Sequence, residues 1–374
     1  MKFIDEFRDQ AMVHDLARRL AALAALTKNP ATVMEVCGTH TMAAARFGLK
    51  SLLPPGVALI SGPGCPVCVT DQSDLDAFLA LGTEPHVVLV SFGDMLRVPG
   101  THTSLEGLRA QGAEVRVVYS PLDAVELARQ TPGKHLVFFG VGFETTMPAT
   151  ALAIQTAAAY GLDNFSVCCV HKTMPAALKA LLSSGEVRVS GLLCPGHVTT
   201  IIGTGAYDFI PAEFGLPCAV TGFEPVDMLL GIESILGQLK EGKACVDNVY
   251  TRAVQTPANP RARELLAEVF SPEDAAWRGL GVIPGSGTRI REPYARFDAR
   301  ARFPRSGSAS PRRRRRPAAA ARSSGGSGAR WTAPCSPRPA PRPNPWAPAW
   351  SPPKGPAPRR IDMKGDEAGV KRGK

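Results

Sequence analysis

The segment TVMEVCGTHT (residues 32–41) is central to the fold, together with VALISGPGCPVCVT (residues 57–70). Each segment begins as a short apolar run, as a β-strand does, and ends in a glycine-containing loop that carries thiols or an imidazole. In folds where helices follow parallel strands, ligands bind at the loops that leave the carboxyl ends of the strands. The two segments therefore predict an α/β protein with its functional residues on the loops after two early strands.

More short apolar runs follow along the chain, and helical patterns separate most of them. The runs occupy residues 32–36, 57–61, 86–91, 114–119, 135–139, 165–170, 189–193 and 218–221. Strands and helices that alternate in this way predict parallel sheets covered by helices. We expect two parallel-sheet α/β domains, at residues 1–125 and 126–303. The first should open with an amphipathic helix over residues 5–26.

The positive charge of the chain is concentrated at its C-terminal end. The formal net charge is +10, yet residues 301–360 hold 13 Arg, one Lys and no acidic residue. The rest is mildly acidic, so a nucleic acid is not expected as a partner. Residues 304–374 are rich in Pro and Arg, which predicts a disordered tail. An arginine-rich arm for nucleic acid is one interpretation of this tail. We favour the other, a GC-rich gene read out of frame.

Nine cysteines are distributed along the chain without the dense spacing of a small secreted protein. The charged N-terminus does not resemble a signal peptide, and no run of about 18 apolar residues predicts a membrane span. We therefore expect a cytoplasmic protein whose paired cysteines bind metal or carry redox chemistry. Cys168, Cys169, Cys218 and Cys245 are expected to be buried as small hydrophobic residues.

Cys65 and Cys68 form a CxxC pair directly ahead of a predicted helix. The partial positive charge and free N–H groups of a helix N-terminus stabilise a thiolate and lower its pKa. The preceding Gly62-Pro63-Gly64 lets the backbone approach a ligand closely. Such a pair can close a disulfide, share one metal ion or remain buried and unreactive.

Cys37 and His40 stand three residues apart on the earlier loop, so their side chains can converge on one metal ion. With Cys65 and Cys68 they would make a Cys₃His set, which is adequate for structural zinc. Against zinc, Cys-x-x-His is an uncommon form of a ligand knuckle. Iron, zinc and disulfide chemistry are therefore all open for this set of residues.

Two later loops carry candidate cofactor-binding residues for the same site. The loop GVGFET follows a strand but lacks the third glycine of the dinucleotide fingerprint. It can present Glu144 and Thr145, although a helix N-cap is an equal role for the threonine. The turn CPGH ends another strand, so Cys194 and His197 join the candidates, with a structural role for the histidine as the alternative.

Taken together, these residues resemble the HypD family of hydrogenase maturation factors. The resemblance covers about residues 1–303, and several motifs in the same order are far more specific than any one of them. The motifs are CGTHT (37–41), GPGCPVCVT (62–70), GFETT (142–146), CPGHV (194–198), TGFEP (221–225), GLGVIP (279–284) and YARFD (294–298).

The resemblance implies two α/β domains flanking a cleft, followed by a C-terminal region with a [4Fe-4S] cluster. It implies a maturation scaffold with redox activity rather than a free-standing enzyme. With a HypC-like chaperone, the scaffold would bind iron while CN and CO ligands are assembled into Fe(CN)2CO. A HypE-like partner would supply cyanide, and the large subunit of a [NiFe]-hydrogenase would receive the product. Cys37 would be the iron ligand with His40 beside it, and Cys65 and Cys68 would exchange electrons with the cluster.

The C-terminal end departs from this family. The family places four cluster cysteines in its last segment, whereas only Cys335 follows Cys245 here. One thiolate cannot hold a [4Fe-4S] cluster. We therefore predict a Pro/Arg-rich tail in place of the iron–sulfur region. A thiol–disulfide oxidoreductase that uses Cys65 and Cys68 without metal, and a structural zinc protein, are the alternative functions.

Overall fold

A computed structural model describes residues 4–27, 29–255 and 257–304 of the chain. Its framework is two parallel β-sheets and one antiparallel hairpin, which confirms the predicted α/β class. The strands are β1 (Ala31–Glu35), β2 (Val57–Ser61), β3 (Val87–Ser91), β4 (Val115–Val117), β5 (His135–Gly140), β6 (Phe165–Cys169), β7 (Gly191–Pro195), β8 (Cys218–Thr221), β9 (Val246–Asn248), β10 (Phe270–Trp277) and β11 (Gly281–Ile290). The predicted tail, apart from Pro304, lies outside the described residues.

Helices connect most of the parallel strands, as the alternating sequence pattern predicts. They are α1 (Gln10–Ala24), α2 (Gly38–Arg46), α3 (Leu49–Leu52), α4 (Pro66–Val69), α5 (Gln72–Ala80), α6 (Leu105–Ala110), α7 (Pro121–Gln130), α8 (Met147–Ala159), α9 (Met174–Ser183), α10 (Gly196–Ile202), α11 (Phe209–Phe214), α12 (Pro225–Glu241), α13 (Pro260–Val269) and α14 (Ala299–Arg302). Short 3-10 turns lie at Asp5–Arg8, Leu81–Thr83, Gly93–Met95, Thr204–Tyr207 and Glu292–Phe297. In the described part of the chain, no helix is both long enough and apolar enough to span a membrane.

The N-terminal helix is shorter than the predicted range of residues 5–26. Asp9 has an extended backbone (φ −61°, ψ 122°) that separates the 3-10 turn at Asp5–Arg8 from α1. Its Oδ1 accepts a hydrogen bond from the Met12 N–H at 2.8 Å. An aspartate at the N-cap satisfies a backbone donor that the first helical turn leaves unpaired, so the regular helix begins after it.

The two sheets do not divide the chain at residues 125 and 126. The first sheet has the order β2-β1-β7-β8-β9, and the second has the order β4-β3-β5-β6. The chain leaves the first sheet after β2, builds the whole second sheet, and returns with β7 beside β1. Pairing between distant strands depends on tertiary packing, which local sequence patterns do not report. The predicted domain ranges therefore cut across both sheets.

Helices cover both faces of each sheet, which explains the nearly continuous apolar character of the strands. On the first sheet, α1, α2 and α12 pack on one face, and α9, α10 and α11 pack on the other. On the second sheet, α7, α8 and α13 cover one face, and α5, α6 and α14 cover the other. With both faces buried, the loops at the strand ends are left to bind ligands.

The β10–β11 hairpin connects the CxxC turn to the end of β6. The backbone N–H of Arg278 donates to the Val69 oxygen at 2.8 Å, and that of Thr173 donates to the Ser286 oxygen at 2.8 Å. Trp277 is buried at the hairpin, where its Nε1–H donates to the Ser286 hydroxyl at 2.8 Å. The hairpin therefore restrains the segment that follows Cys68.

Candidate functional site

Cys37 lies at the junction between β1 and α2, where the predicted loop becomes a helix N-terminus. It is the N-cap residue of α2, with an extended backbone (φ −147°, ψ 128°). Its thiol is partly buried, and burial raises the pKa of the thiol. Its backbone N–H donates to Glu35 Oε2 at 3.2 Å. The sulfur is therefore placed on a short, well-bonded turn rather than on a free loop.

The CxxC turn packs directly on the Cys37 turn. The Gly62 N–H donates to the Glu35 oxygen at 2.7 Å, and the Gly38 N–H donates to the Gly64 oxygen at 2.8 Å. A Cβ atom on Gly38 would lie 3.5 Å from the Cβ of Cys65. Two parallel, neighbouring strands carry these turns. Cys37 and Cys65 therefore lie at the same edge of the first sheet, the one formed by the carboxyl ends of its strands.

Cys65 has the features of a reactive thiol. It is the N-cap of the short helix α4, and its Sγ accepts the Cys68 N–H at 3.2 Å. Hydrogen bonding to the Cys68 side chain, which outweighs the opposing effect of burial, lowers the pKa of Cys65 to about 6. A thiol with this pKa is largely thiolate at neutral pH, the form that attacks disulfides and electrophiles.

His40 is fully buried on α2 and has one free ring nitrogen. Its Nε2 lies 3.0 Å from the Gly222 oxygen, so Nε2 carries the proton and donates it. Its Nδ1 is buried and has no hydrogen-bond partner among the described residues. Burial lowers the pKa of His40 to about 4, so the ring is neutral at physiological pH. A neutral imidazole with a bare Nδ1 lone pair is the form that ligates metals.

Two tilted ring contacts connect His40 to a third strand end. The ring centroid of Phe223, on the loop after β8, lies 4.7 Å from that of His40 and 4.1 Å from that of His197. His197 is exposed on α10, directly after β7. Because β1, β7 and β8 are neighbours in the first sheet, their loops meet here. The predicted residues Cys37, His40 and His197 therefore belong to one edge.

Glu35 is a residue of this edge that the sequence analysis missed. Its side chain is buried at the end of β1, where its carboxylate accepts the hydroxyl of Thr41 and the N–H of Cys37. Burial raises the pKa of Glu35 to about 7, against the effect of hydrogen bonds from Ser61 and Thr41. The available signal was a single acidic residue inside the otherwise apolar run TVMEV.

Glu144 lies at the end of the second sheet and faces a cavity of about 890 Å³. Its Oε1 accepts the Met174 N–H at 2.9 Å, whereas its buried Oε2 has no partner within the described residues. Burial raises the pKa of Glu144 to about 7. Thr145 beside it is exposed. Thr146 occupies the N-cap position of α8, but its hydroxyl donates to the Phe143 oxygen at 3.1 Å and caps no helical N–H.

Cys194 does not line a cleft, in contrast to the sequence prediction. It is fully buried in β7, within the apolar cluster under α9 to α11. Side chains alternate between the two faces of a strand, and the position of Cys194 points its thiol towards the face that α9, α10 and α11 cover. Hydrogen bonding to the Cys218 thiol, together with burial, raises the pKa of Cys194 well above its ordinary value. The thiol is therefore packed among apolar side chains of the core.

The remaining cysteines of the described chain follow the prediction with one exception. Cys168, Cys169 and Cys218 are buried, as expected for small hydrophobic residues. Cys245 is exposed, because it lies just before the short edge strand β9 rather than within a core strand. The burial predicted for Cys245 is wrong.

The candidate residues do not assemble a four-ligand metal site. Within residues 4–27, 29–255 and 257–304, no three His, Cys, Asp or Glu side chains lie close enough together to hold one ion. The Cys₃His set, which was one alternative for these residues, therefore divides into two parts. One is Cys37 with His40 on α2, and the other is Cys65 with Cys68 on α4.

Fold and site together define a two-sheet α/β protein with a thiol, a buried imidazole and a CxxC pair on adjoining turns. The HypD family model, described as "Hydrogenase formation hypA family", matches residues 11–324. The chain belongs to this family, the HypD family of hydrogenase maturation factors.

Curated relatives named as members of this family are similar to the chain over most of its length. The chain is 46% identical over 308 residues to the hydrogenase maturation factor HypD of Rhodobacter capsulatus, a match that covers 81% of this chain and 82% of the relative. It is 47% identical over 310 residues to that of Azotobacter vinelandii, again covering 81% and 82%. Identity to HypD of Escherichia coli (strain K12) is 44% over 308 residues, covering 81% of this chain and 83% of the relative.

Proposed function

We propose that this chain is the iron-holding scaffold on which CN and CO ligands are assembled into Fe(CN)2CO for a [NiFe]-hydrogenase. Iron is the substrate in this proposal, and Cys37 is its protein ligand, with His40 beside it. A HypC-like chaperone shares the iron, a HypE-like partner supplies cyanide, and the hydrogenase large subunit receives the product.

The bare Nδ1 of His40 is the observation that carries this proposal. A buried nitrogen without a partner costs stability, on the order of 1–3 kcal/mol, and a metal bound nearby would remove that cost. Thiolate and imidazole donors suit iron, and the thiolate pushes electron density onto a metal that carries CN and CO. The tight turn around Cys37 supports the proposal because a fixed ligand needs little ordering when the metal arrives.

Cys65 and Cys68 are proposed as the redox pair of the scaffold. Oxidation of the two thiols to a disulfide releases two electrons and two protons, and an external dithiol reverses the reaction. The family resemblance implies a [4Fe-4S] cluster as the electron partner, but the residues of this chain do not fit one. Cys335 is the one cysteine after Cys245, and a cluster needs several thiolates.

A second candidate function is thiol–disulfide exchange without metal. The observation that favours it is the pKa of Cys65, which is lowered to about 6, as expected for the attacking thiol of an exchange reaction. In that case Cys37 and His40 would be dispensable, and the Cys65–Cys68 pair alone would carry the activity.

Iron content and infrared spectra separate the two functions. The chain is co-expressed anaerobically with a HypC-like chaperone and a HypE-like partner, and the purified complex is examined for iron and for CN and CO stretching bands. We expect both in the unaltered chain and neither in Cys37→Ala. Cys245→Ala, which removes an exposed and distant thiol, is the matched control. Iron and bands that survive in Cys37→Ala would overturn the proposal, and a metal-free protein with a titrating disulfide would support thiol exchange.

A further inference from the structure

We propose that the buried ion pair between Asp227 and Arg252 is a positioning device for His40, acting through the turn at Gly222. The inference deepens the proposed function, because it assigns a means of keeping the His40 nitrogen available beside the iron. It concerns residues whose hydrogen bonds join them to each other and to the loop after β8.

The ion pair is bidentate. Arg252 binds Asp227 with both arms of its guanidinium, Nη1 to Oδ1 at 2.6 Å and Nη2 to Oδ2 at 2.5 Å. The Asp227 side chain is fully buried. The guanidinium carbon lies 3.5 Å from the ring centroid of Phe7 and 4.6 Å from that of Tyr250. A bidentate pair that also contacts two aromatic rings fixes the carboxylate in one orientation.

Asp227 in turn holds the loop after β8. Its Oδ2 accepts the Glu224 N–H at 3.1 Å, and its backbone oxygen accepts the Thr221 hydroxyl at 2.7 Å. A Cβ on Gly222 would overlap Asp227 Oδ2 and lie 2.6 Å from Cε2 of Tyr250. The Gly222 backbone therefore rests directly on the ion pair, and only glycine fits there.

The Gly222 oxygen then fixes the tautomer of the His40 ring. It accepts the Nε2 proton at 3.0 Å, which leaves the lone pair on Nδ1. A backbone carbonyl that receives the second imidazole N–H sets the tautomer and ring orientation of a metal-ligating histidine, and removing such a partner typically lowers metal affinity about 10–100-fold. Arg252 and Asp227 are positioning residues in this series of contacts, because they act on His40 through Gly222.

The test compares Arg252→Gln with a control that loses another buried cation. Lys172 is 2% exposed, and its Nζ lies 3.3 Å from Asp74 Oδ2. It follows β6 of the second sheet, whereas Gly222 follows β8 of the first. Lys172→Met is therefore the matched control. The first readout is the ¹⁵N spectrum of the His40 ring in the metal-free protein, assigned by its loss in His40→Gln. The second is ferrous iron affinity in the complex with a HypC-like chaperone.

We expect Arg252→Gln to mix the two His40 tautomers and to lower iron affinity about 10–100-fold, with neither change in Lys172→Met. Arg252→Lys keeps the positive charge but loses the bidentate contact with Asp227, so a smaller effect in the same direction is expected. This variant carries the test if Arg252→Gln does not fold. An unchanged His40 spectrum in a folded Arg252 variant would overturn the inference, as would an equal change in Lys172→Met.

The two proposals fail in different ways. If the His40 spectrum changes in Arg252→Gln but the unaltered chain binds no iron, the positioning role stands and the iron assignment is lost. If iron binds at Cys37 and the spectrum of His40 is insensitive to Arg252, the iron assignment stands and the positioning role is lost.

Discussion

Gly64 lies so close to Cys37 that a Cβ atom at Gly64 would overlap the backbone nitrogen of Cys37. The oxygen of the same glycine accepts the Gly38 N–H at 2.8 Å. This contact joins the turn that carries the single thiol to the turn that carries the CxxC pair. It gives a physical reason for the glycines in GPGCPVC, since any larger residue would separate the two turns.

Gly64→Ala should therefore damage the site more than a typical surface change. The new methyl group meets backbone atoms, which cannot move aside as a side chain can, so we expect a loss of about 2–3 kcal/mol in the free energy of unfolding. Iron binding in the chaperone complex should fall with it. Gly133→Ala is the control, because a Cβ there meets nothing within 4 Å. Equal denaturation midpoints for the two variants would contradict the prediction.

The loops that carry Cys37 and the CxxC pair could be predicted from the sequence because the patterns that mark them are local. An apolar run followed by a glycine-rich loop marks a strand and its carboxyl end whatever the strand pairs with. The CGTHT and GPGCPVC loops were predicted on that basis, and the structure brings them together. The pairing of β1 with β7 was not predicted, because it joins Val33 to Gly191 across the whole second sheet.

The direction of side chains from their strands was the second feature that could not be predicted from the sequence. Cys194 stands next to a strand end and was expected to line the cleft, but strand alternation turns it into the core. Glu35 was passed over as part of an apolar run, although it is the carboxylate that both Cys37 and Thr41 contact. In each case the deciding fact is which way the side chain points from its strand, and the apolar pattern of a strand that is buried on both faces does not report it.

Cys65 should react with alkylating agents at a lower pH than an ordinary thiol. Its pKa is lowered to about 6, chiefly by hydrogen bonding to the Cys68 side chain, so the rate of iodoacetamide labelling should rise with a midpoint near that pH. Mass spectrometry of the Cys65 peptide over a pH series measures the midpoint. In Cys68→Ser the midpoint should move, because a different partner holds the thiolate. Cys245 is exposed, and slight burial of its thiol together with nearby acidic groups raises its pKa. It is the internal control and should label only at higher pH.

Trp277 should contribute strongly to stability through the hairpin that restrains the CxxC turn. It is buried, stacks on Phe143 with centroids 6.0 Å apart, and donates to the Ser286 hydroxyl. Trp277→Ala should cost about 3–5 kcal/mol in the free energy of unfolding. Tyr119→Ala removes an aromatic ring that is 97% exposed and should change it by less than about 0.5 kcal/mol. Urea denaturation of both variants checks the contrast, and similar losses would show that the hairpin is not anchored by the indole.

Glu144 should make the protein less stable as the pH rises. Its pKa is about 7 in the folded chain because of burial, whereas an exposed glutamate has a pKa of about 4.3. Between these values the folded state binds a proton that the unfolded state has released, so stability falls as the pH increases through this window.

Glu144→Gln keeps the oxygen that accepts the Met174 N–H and cannot ionise. At pH 8 the variant should be more stable than the unaltered chain, by on the order of 3 kcal/mol, and this advantage should shrink towards pH 5. Thermal or urea denaturation at both pH values measures it, with Glu264→Gln, at the rim of the same cavity, as the control. An advantage that does not change with pH would contradict the assignment of a neutral, buried Glu144.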